Sequence, residues 1–144
     1  MKIRSNAIAS VAAALFAASV LTACTSTSAP PVLTKEIESH RAGDLVIALQ
    51  SVKGEMTQGE NDFVVEFRSA ANNRPVDAGT VTVSASMAMP GMTPMTAVLE
   101  LKRLGQVGRY AVKGSFGMSG SWRYEIRWDG PAGQGSTSFQ SNVR

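Results

Sequence analysis

The most regular stretch of the chain is WRYEIRW, residues 122–128, in which aromatic or aliphatic residues alternate with charged ones. In an extended chain Trp122, Tyr124, Ile126 and Trp128 lie on one side, and the arginines and the glutamate lie on the other. This period of two indicates a half-buried β-strand rather than a helix. The fold is therefore expected to consist of strands.

Six further segments show the same alternation or a weaker form of it. They are centred on residues 45–49, 63–67, 81–85, 97–101, 110–112 and 136–140. Turn-forming residues separate them, at 59–61, 72–75, 90–91, 105–108, 117–120 and 129–131. This spacing predicts an all-β fold, a single immunoglobulin-like antiparallel β-sandwich of about seven strands over residues 43–144. Residues 35–41 are compatible with one turn of helix or with a continued linker.

A methionine cluster is the most unusual feature of the predicted sandwich. Met87, Met89, Met92 and Met95 fall in the run MAMPGMTPM, and Met118 follows in the loop GMSG. Strand parity places Met87, Met89 and Met95 on the core side, where flexible methionine can fill the irregular end of a sandwich. Packing does not account for Met92, which follows a Pro-Gly turn, or for Met118 between glycines.

The alternative to packing is a metal site made of thioether sulfur. Thioethers are soft ligands that select Cu(I)-like ions and have no proton to lose. If the two loops meet at one end of the sandwich, three or more sulfurs converge there. We therefore expect a Cu(I) or Ag(I) site formed by Met92 and Met118 with help from Met87, Met89 and Met95. A metal-free apolar patch that docks a protein partner is the competing interpretation.

Other side chains offer little chemistry. His40 is the only histidine and the chain has one cysteine, so a His/Cys blue-copper centre in the domain is excluded by composition. An exposed or capping role is expected for His40. Trp122 is expected in the core, with stacking over a bound cation as the alternative. Asp62, Asp77 and Asp129 adjoin turn signals and no catalytic constellation is found, so we expect no enzyme.

The N-terminus has the pattern of an export signal. Lys2 and Arg4 precede an apolar stretch that is short for a membrane span, and the stretch ends in LTAC with Cys24. This pattern resembles the lipobox of bacterial lipoproteins. We expect residues 1–23 to be a removed signal peptide, Cys24 to carry the lipid, and residues 24–42 to be the lipidated cysteine and a flexible linker.

The composition limits the partners and the location. Without the two basic residues of the signal, the chain's 14 Lys and Arg become 12 against 11 Asp and Glu. These charges are dispersed, so nucleic acid is not an expected partner. Thr25 after the cysteine is not the aspartate associated with inner-membrane retention. A cell-envelope location is expected, on the outer membrane facing the periplasm.

Three motifs carry a resemblance to a known family. The segments MAMPGM (87–92), VGRY (107–110) and MSGSW (118–122) resemble the YtkA-like and FixH-like domains, which pair a Met-Pro-x-Met loop with a later Gly-x-Tyr and Met-x-Gly-x-Trp. The resemblance covers residues 43–129. It implies a small extracytoplasmic immunoglobulin-like sandwich without enzymatic activity, found beside heavy-metal efflux components or copper-oxidase assembly factors.

The resemblance also bears on the site and its partners. Carried over by position, Met87, Met89, Met92 and Met118 are the family's methionines, and Met95 is an addition. FixH-like proteins keep a membrane helix, whereas this chain is expected to use a lipid. Relatives can carry histidine near the Met-Pro loop, where this chain has residues 93–95 (TPM), so Cu(I) or Ag(I) is expected over Cu(II). A membrane metal transporter, efflux adaptor or oxidase assembly factor is the implied partner.

Overall fold

A computed structural model of the chain describes residues 34–144. The predicted signal peptide, Cys24 and most of the predicted linker lie outside the described residues. The described part contains nine strands: β1 (Lys35–Ala42), β2 (Leu45–Ser51), β3 (Gly59–Ser69), β4 (Thr80–Met87), β5 (Met95–Thr96), β6 (Val98–Arg103), β7 (Arg109–Phe116), β8 (Gly120–Gly130) and β9 (Gly133–Val143). Within this part, no helix is long and apolar enough to cross a membrane.

The strands form two antiparallel sheets. The first has five strands in the order β1-β2-β3-β7-β6, and the second has four in the order β5-β4-β8-β9. Every pair of neighbouring strands is antiparallel. The predicted all-β sandwich is therefore confirmed, with nine strands rather than seven.

The first additional strand is β1, which the sequence left open between a helical turn and a linker. It pairs with β2 along its whole length, from Lys35 opposite Ser51 to Ala42 opposite Leu45. The predicted start of the domain at residue 43 is therefore too late. The pattern did not reveal β1 because it is an edge strand held by backbone pairing, and only Ile37 and Ala42 are even half-buried.

The second additional strand arises because the predicted strand at 97–101 is divided between the sheets. β5 pairs with β4 in the second sheet, whereas β6 pairs with β7 in the first. The chain changes sheets at Ala97, whose N–H still donates to the carbonyl of Ala85 at 2.9 Å. The predicted parity survives this change, because Met95, Ala97, Leu99 and Leu101 all pack against the core.

The core lies between the sheets and is dominated by aromatic rings. Trp122, Tyr124 and Ile126 of β8 are fully buried. Phe116 of β7 meets Trp122 edge to face, with ring centroids 5.1 Å apart. Such edge-to-face pairs are favoured by the ring quadrupoles. The alternation of residues 122–128 therefore marks a half-buried strand as predicted, with the apolar side chains directed between the sheets.

Candidate metal site

Met87 and Met95 face each other at one end of the sandwich. Met87 is the last residue of β4, Met95 is the first of β5, and the two are directly opposed in the antiparallel register. Directly opposed side chains in such a pair have Cβ atoms about 4.5–5.5 Å apart. Both are half-buried and pack against the core. The two thioethers are therefore held side by side at the rim of the core.

The loop between these two strands starts with a tight turn at residues 89–92. The Met92 N–H donates to the Met89 carbonyl at 3.1 Å, and Gly91 has φ +73°. Proline in the second position and a left-handed glycine in the third are what a type II turn requires. The turn leaves the Met92 side chain 67% exposed, and Met89 is half-buried. Met92 is therefore displayed to solvent.

The loop that carries Met118 lies against the same pair of methionines. A Cβ on Gly117 would sit 3.1 Å from the Met95 Sδ, and one on Gly120 would sit 3.0 Å from the Met87 Cε. Since consecutive Cα atoms are about 3.8 Å apart, the Met118 Cα lies within about 8.5 Å of the Met95 Sδ. The two methionine loops therefore emerge at the same end of the sandwich.

Trp122 holds this loop from below. Its Nε1–H donates to the Met118 carbonyl at 3.0 Å, and its side chain is fully buried. A buried ring offers no free face to a cation arriving from solvent, so Trp122 has the predicted core position. Met118 itself is 42% exposed. Met118 is thus partly open to solvent, while its carbonyl is held by Trp122.

Sulfur is the donor type that the methionines bring to this end of the sandwich. Among residues 34–144, no three His, Cys, Asp or Glu side chains gather in a way that could hold a metal ion. His40 is exposed on β1 and stacks on Phe139 of β9, with ring centroids 5.7 Å apart. That contact is at the opposite edge of the second sheet from β5. The chain's single histidine therefore lies away from the methionine end.

Two residues that the sequence pattern does not single out also reach this end. Met56 is fully buried and forms a bridge with Val143, which is opposite Gly120 in the β8–β9 pair. The Gln58 amide Nε2 donates to the Gly117 carbonyl at 3.0 Å. Neither lies in a periodic segment or in a methionine run, so no local signal marked them. Met56 belongs to the core and Gln58 contacts the Met118 loop.

The Gly-x-Tyr motif has a structural role at the other end of the sandwich. The Phe67 N–H donates to the Gly108 carbonyl at 2.8 Å, and the Tyr110 hydroxyl donates to the Gly79 carbonyl at 2.9 Å. Burial raises the pKa of Tyr110, which keeps the phenol in its donating form. This motif closes the fold and does not contribute to the methionine end.

These features agree with the comparison with known families. A model of the YtkA-like family matches residues 39–127, more than half of the chain. The chain belongs to the YtkA-like family. The match begins within β1, ends within β8 and includes all three motifs, so Met87, Met89, Met92, Met95 and Met118 lie inside it.

Solved structures show more distant likeness. A DUF4426 family protein from Pseudomonas aeruginosa PAO1 has a TM-score of 0.49 at 16% identity, covering 74% of this chain and 96% of its own. A copper-bound variant of FetP from uropathogenic Escherichia coli strain F11 has a TM-score of 0.43 at 8% identity, covering 76% of this chain and 97% of its own. No curated protein matches the chain in sequence. The fold assignment rests on the strand pairing of the chain itself.

Proposed function

We propose that this YtkA-like domain is a lipid-anchored envelope protein that binds Cu(I) or Ag(I) through Met87, Met89, Met92, Met95 and Met118. The supporting observation is the position of the thioethers of Met87 and Met95. They lie against Gly120 and Gly117, the two glycines that flank the Met118 loop. This brings methionines from two loops far apart in sequence to one end of the sandwich.

The proposed roles follow from exposure. Met87 and Met95 are half-buried and pre-positioned, and Met118 on its held loop supplies a third sulfur from above. Three thioethers suit a soft monovalent ion and are poor ligands for hard cations. Met92 on its exposed turn would make the first contact with an arriving ion or a receiving partner. Binding and transfer, without catalysis, is the proposed activity.

The proposed partner is in the membrane. Nine residues lie between Cys24 and Thr34, so the two are ten steps apart along the chain, and ten extended steps reach at most about 36 Å. With a lipid on Cys24, the sandwich would stay close to the outer membrane on its periplasmic side. It would buffer the ion or pass it to a membrane metal transporter, an efflux adaptor or an oxidase assembly factor, as in the contexts that the FixH-like and YtkA-like resemblance implies.

Calorimetric titration with silver nitrate in chloride-free buffer tests the metal proposal directly. The full chain carrying Cys24→Ser, in detergent, removes the competing thiol. We expect one saturable Ag(I) site and no heat with Mg²⁺. Since thioethers do not titrate, the Ag(I) affinity should change less than about threefold between pH 5.5 and 8. Absence of saturable Ag(I) binding, or an affinity that falls tenfold at low pH, contradicts a thioether site.

A metal-free docking module is the second candidate. The exposure of Met92 and Met118, 67% and 42%, favours it because flexible methionines make adaptable contact surfaces. The same silver titration separates the candidates. A folded chain that takes up no Ag(I) would leave the docking role as the better explanation of these side chains.

Lipid attachment at Cys24 is tested in cells. Growth with an alkyne-bearing palmitate should label the protein, and membrane fractionation should recover it with the outer membrane. Cys24→Ser should abolish the label and release the protein from that fraction, because one residue carries the whole anchor. A serine variant that keeps the label, or a natural chain that never acquires it, contradicts the proposed anchor.

A further inference from the structure

The Met118 loop is fastened by two side chains from outside the methionine cluster. The Gln58 Nε2 donates to the Gly117 carbonyl, and the Trp122 Nε1 donates to the Met118 carbonyl, each at 3.0 Å. The consecutive carbonyls of Gly117 and Met118 are therefore held by side chains from two different segments of the chain. We infer that Gln58 and Trp122 are positioning residues, which hold the Met118 thioether where it can share an ion with Met87 and Met95. This inference rests on the proposed function.

Gln58 is suited to this task because its own backbone and that of the two residues before it are held by hydrogen bonds. The Gln58 N–H donates to the Arg144 carbonyl at 2.6 Å, and the Arg144 N–H donates to the Met56 carbonyl at 2.9 Å. On the other side, Asn61 accepts from the Thr57 N–H at 2.9 Å and donates to the Thr57 carbonyl at 2.6 Å. An exposed amide on a fixed backbone can hold a partner in one place.

Trp122 provides the second attachment from within the core. The ring is fully buried and packs edge to face on Phe116. Its indole N–H therefore has a fixed direction, and the Met118 carbonyl lies in that direction. This contact gives a physical reason for the spacing Met-x-Gly-x-Trp, since the tryptophan is four residues after the methionine whose carbonyl it binds.

Positioning matters because a metal site loses affinity when a ligand must be ordered at the moment of binding. Because the loop is already held in the folded protein, the entropy cost of ordering the Met118 backbone arises during folding and does not reduce the affinity for the metal. Without the Gln58 contact, Met118 would spend part of its time outside reach of the ion. Supporting residues of metal sites typically change affinity by about 10–100-fold, and an exposed amide is expected at the low end of that range.

The test uses the full chain with Cys24→Ser, labelled with ¹³C in the methionine methyl groups and titrated with silver nitrate. In the natural background the methyl signals of Met87, Met95 and Met118 should all shift. In Gln58→Ala, the Ag(I) affinity should fall about 10-fold and the Met118 methyl should lose at least half of its shift, while Met87 and Met95 still respond. The melting temperature should be unchanged, since Gln58 is exposed.

Gln140→Ala is the matched control, because Gln140 is also exposed but lies on β9, and this variant should bind Ag(I) as the natural chain does. Trp122→Phe, which removes the donor and keeps an aromatic ring, should give a larger loss of the Met118 shift. Full affinity and a full Met118 shift in Gln58→Ala would overturn the inference. If no methyl signal responds to Ag(I) in the natural background, the proposed function itself has failed.

Discussion

Replacing Met87 and Met95 together by leucine is expected to weaken Ag(I) binding at least about 100-fold, which corresponds to about 2.7 kcal/mol at 25 °C. The expectation follows from their geometry, since both thioethers lie beside the Met118 loop and face each other across β4 and β5. Leucine retains the volume and apolar character of methionine and removes only the sulfur. Calorimetric titration with silver nitrate measures the loss.

The control for this prediction is Met56→Leu. Met56 is fully buried near the same end, where it bridges to Val143, so the same substitution tests packing without touching the proposed ligands. Leucine for methionine usually costs less than about 1.5 kcal/mol of stability, and both variants should remain folded by circular dichroism. Unchanged Ag(I) affinity in the double variant, or an equal loss in Met56→Leu, would argue against ligation by Met87 and Met95.

The sequence predicted the architecture well where burial imposes a period of two. The stretch of residues 122–128 is buried on alternate positions as expected, and so are the inward residues of β3 and β7. β2 is different, because it is buried continuously from Ile47 to Ser51. β1 was not predicted because an edge strand can be held by backbone hydrogen bonds alone. Backbone pairing does not require a regular pattern of apolar side chains. The division of one predicted strand into β5 and β6 was not predicted, because the alternation of inward and outward side chains continues without a break through Ala97.

The candidate site was predictable in part. Parity correctly placed Met87 and Met95 at the edge of the core. Met89, which parity also assigned to the core side, lies beyond the end of β4 and is half-buried in the turn. The Pro-Gly turn at residues 90–91 predicted the exposure of Met92. The contact between the two loops could not be predicted, because it depends on which strands neighbour one another. Met87 and Met95 pack at the rim of the core and also flank the Met118 loop, so a packing role for them is compatible with the proposed ligation.

Gly108→Ala is expected to destabilise the fold by about 3 kcal/mol or more. Gly108 has φ +72°, and a Cβ there would sit 2.5 Å from the Val76 carbonyl oxygen and 2.7 Å from the Phe67 carbonyl oxygen. Both clashing atoms belong to the backbone, so no side-chain rotation can relieve the clash. The left-handed conformation alone costs a residue with a Cβ about 1–2 kcal/mol, and the collision adds to it.

Gly43→Ala separates these two costs. Gly43 also has a left-handed backbone, φ +61°, but a Cβ there meets no atom within 4 Å. Its alanine variant should therefore lose only the conformational cost of about 1–2 kcal/mol. Urea denaturation followed by tryptophan fluorescence measures both variants. Equal losses at the two positions would show that the close approach of Gly108 to Phe67 and Val76 contributes nothing. A larger loss at Gly108 would show that this contact, built on the Gly-x-Tyr motif, closes the sandwich.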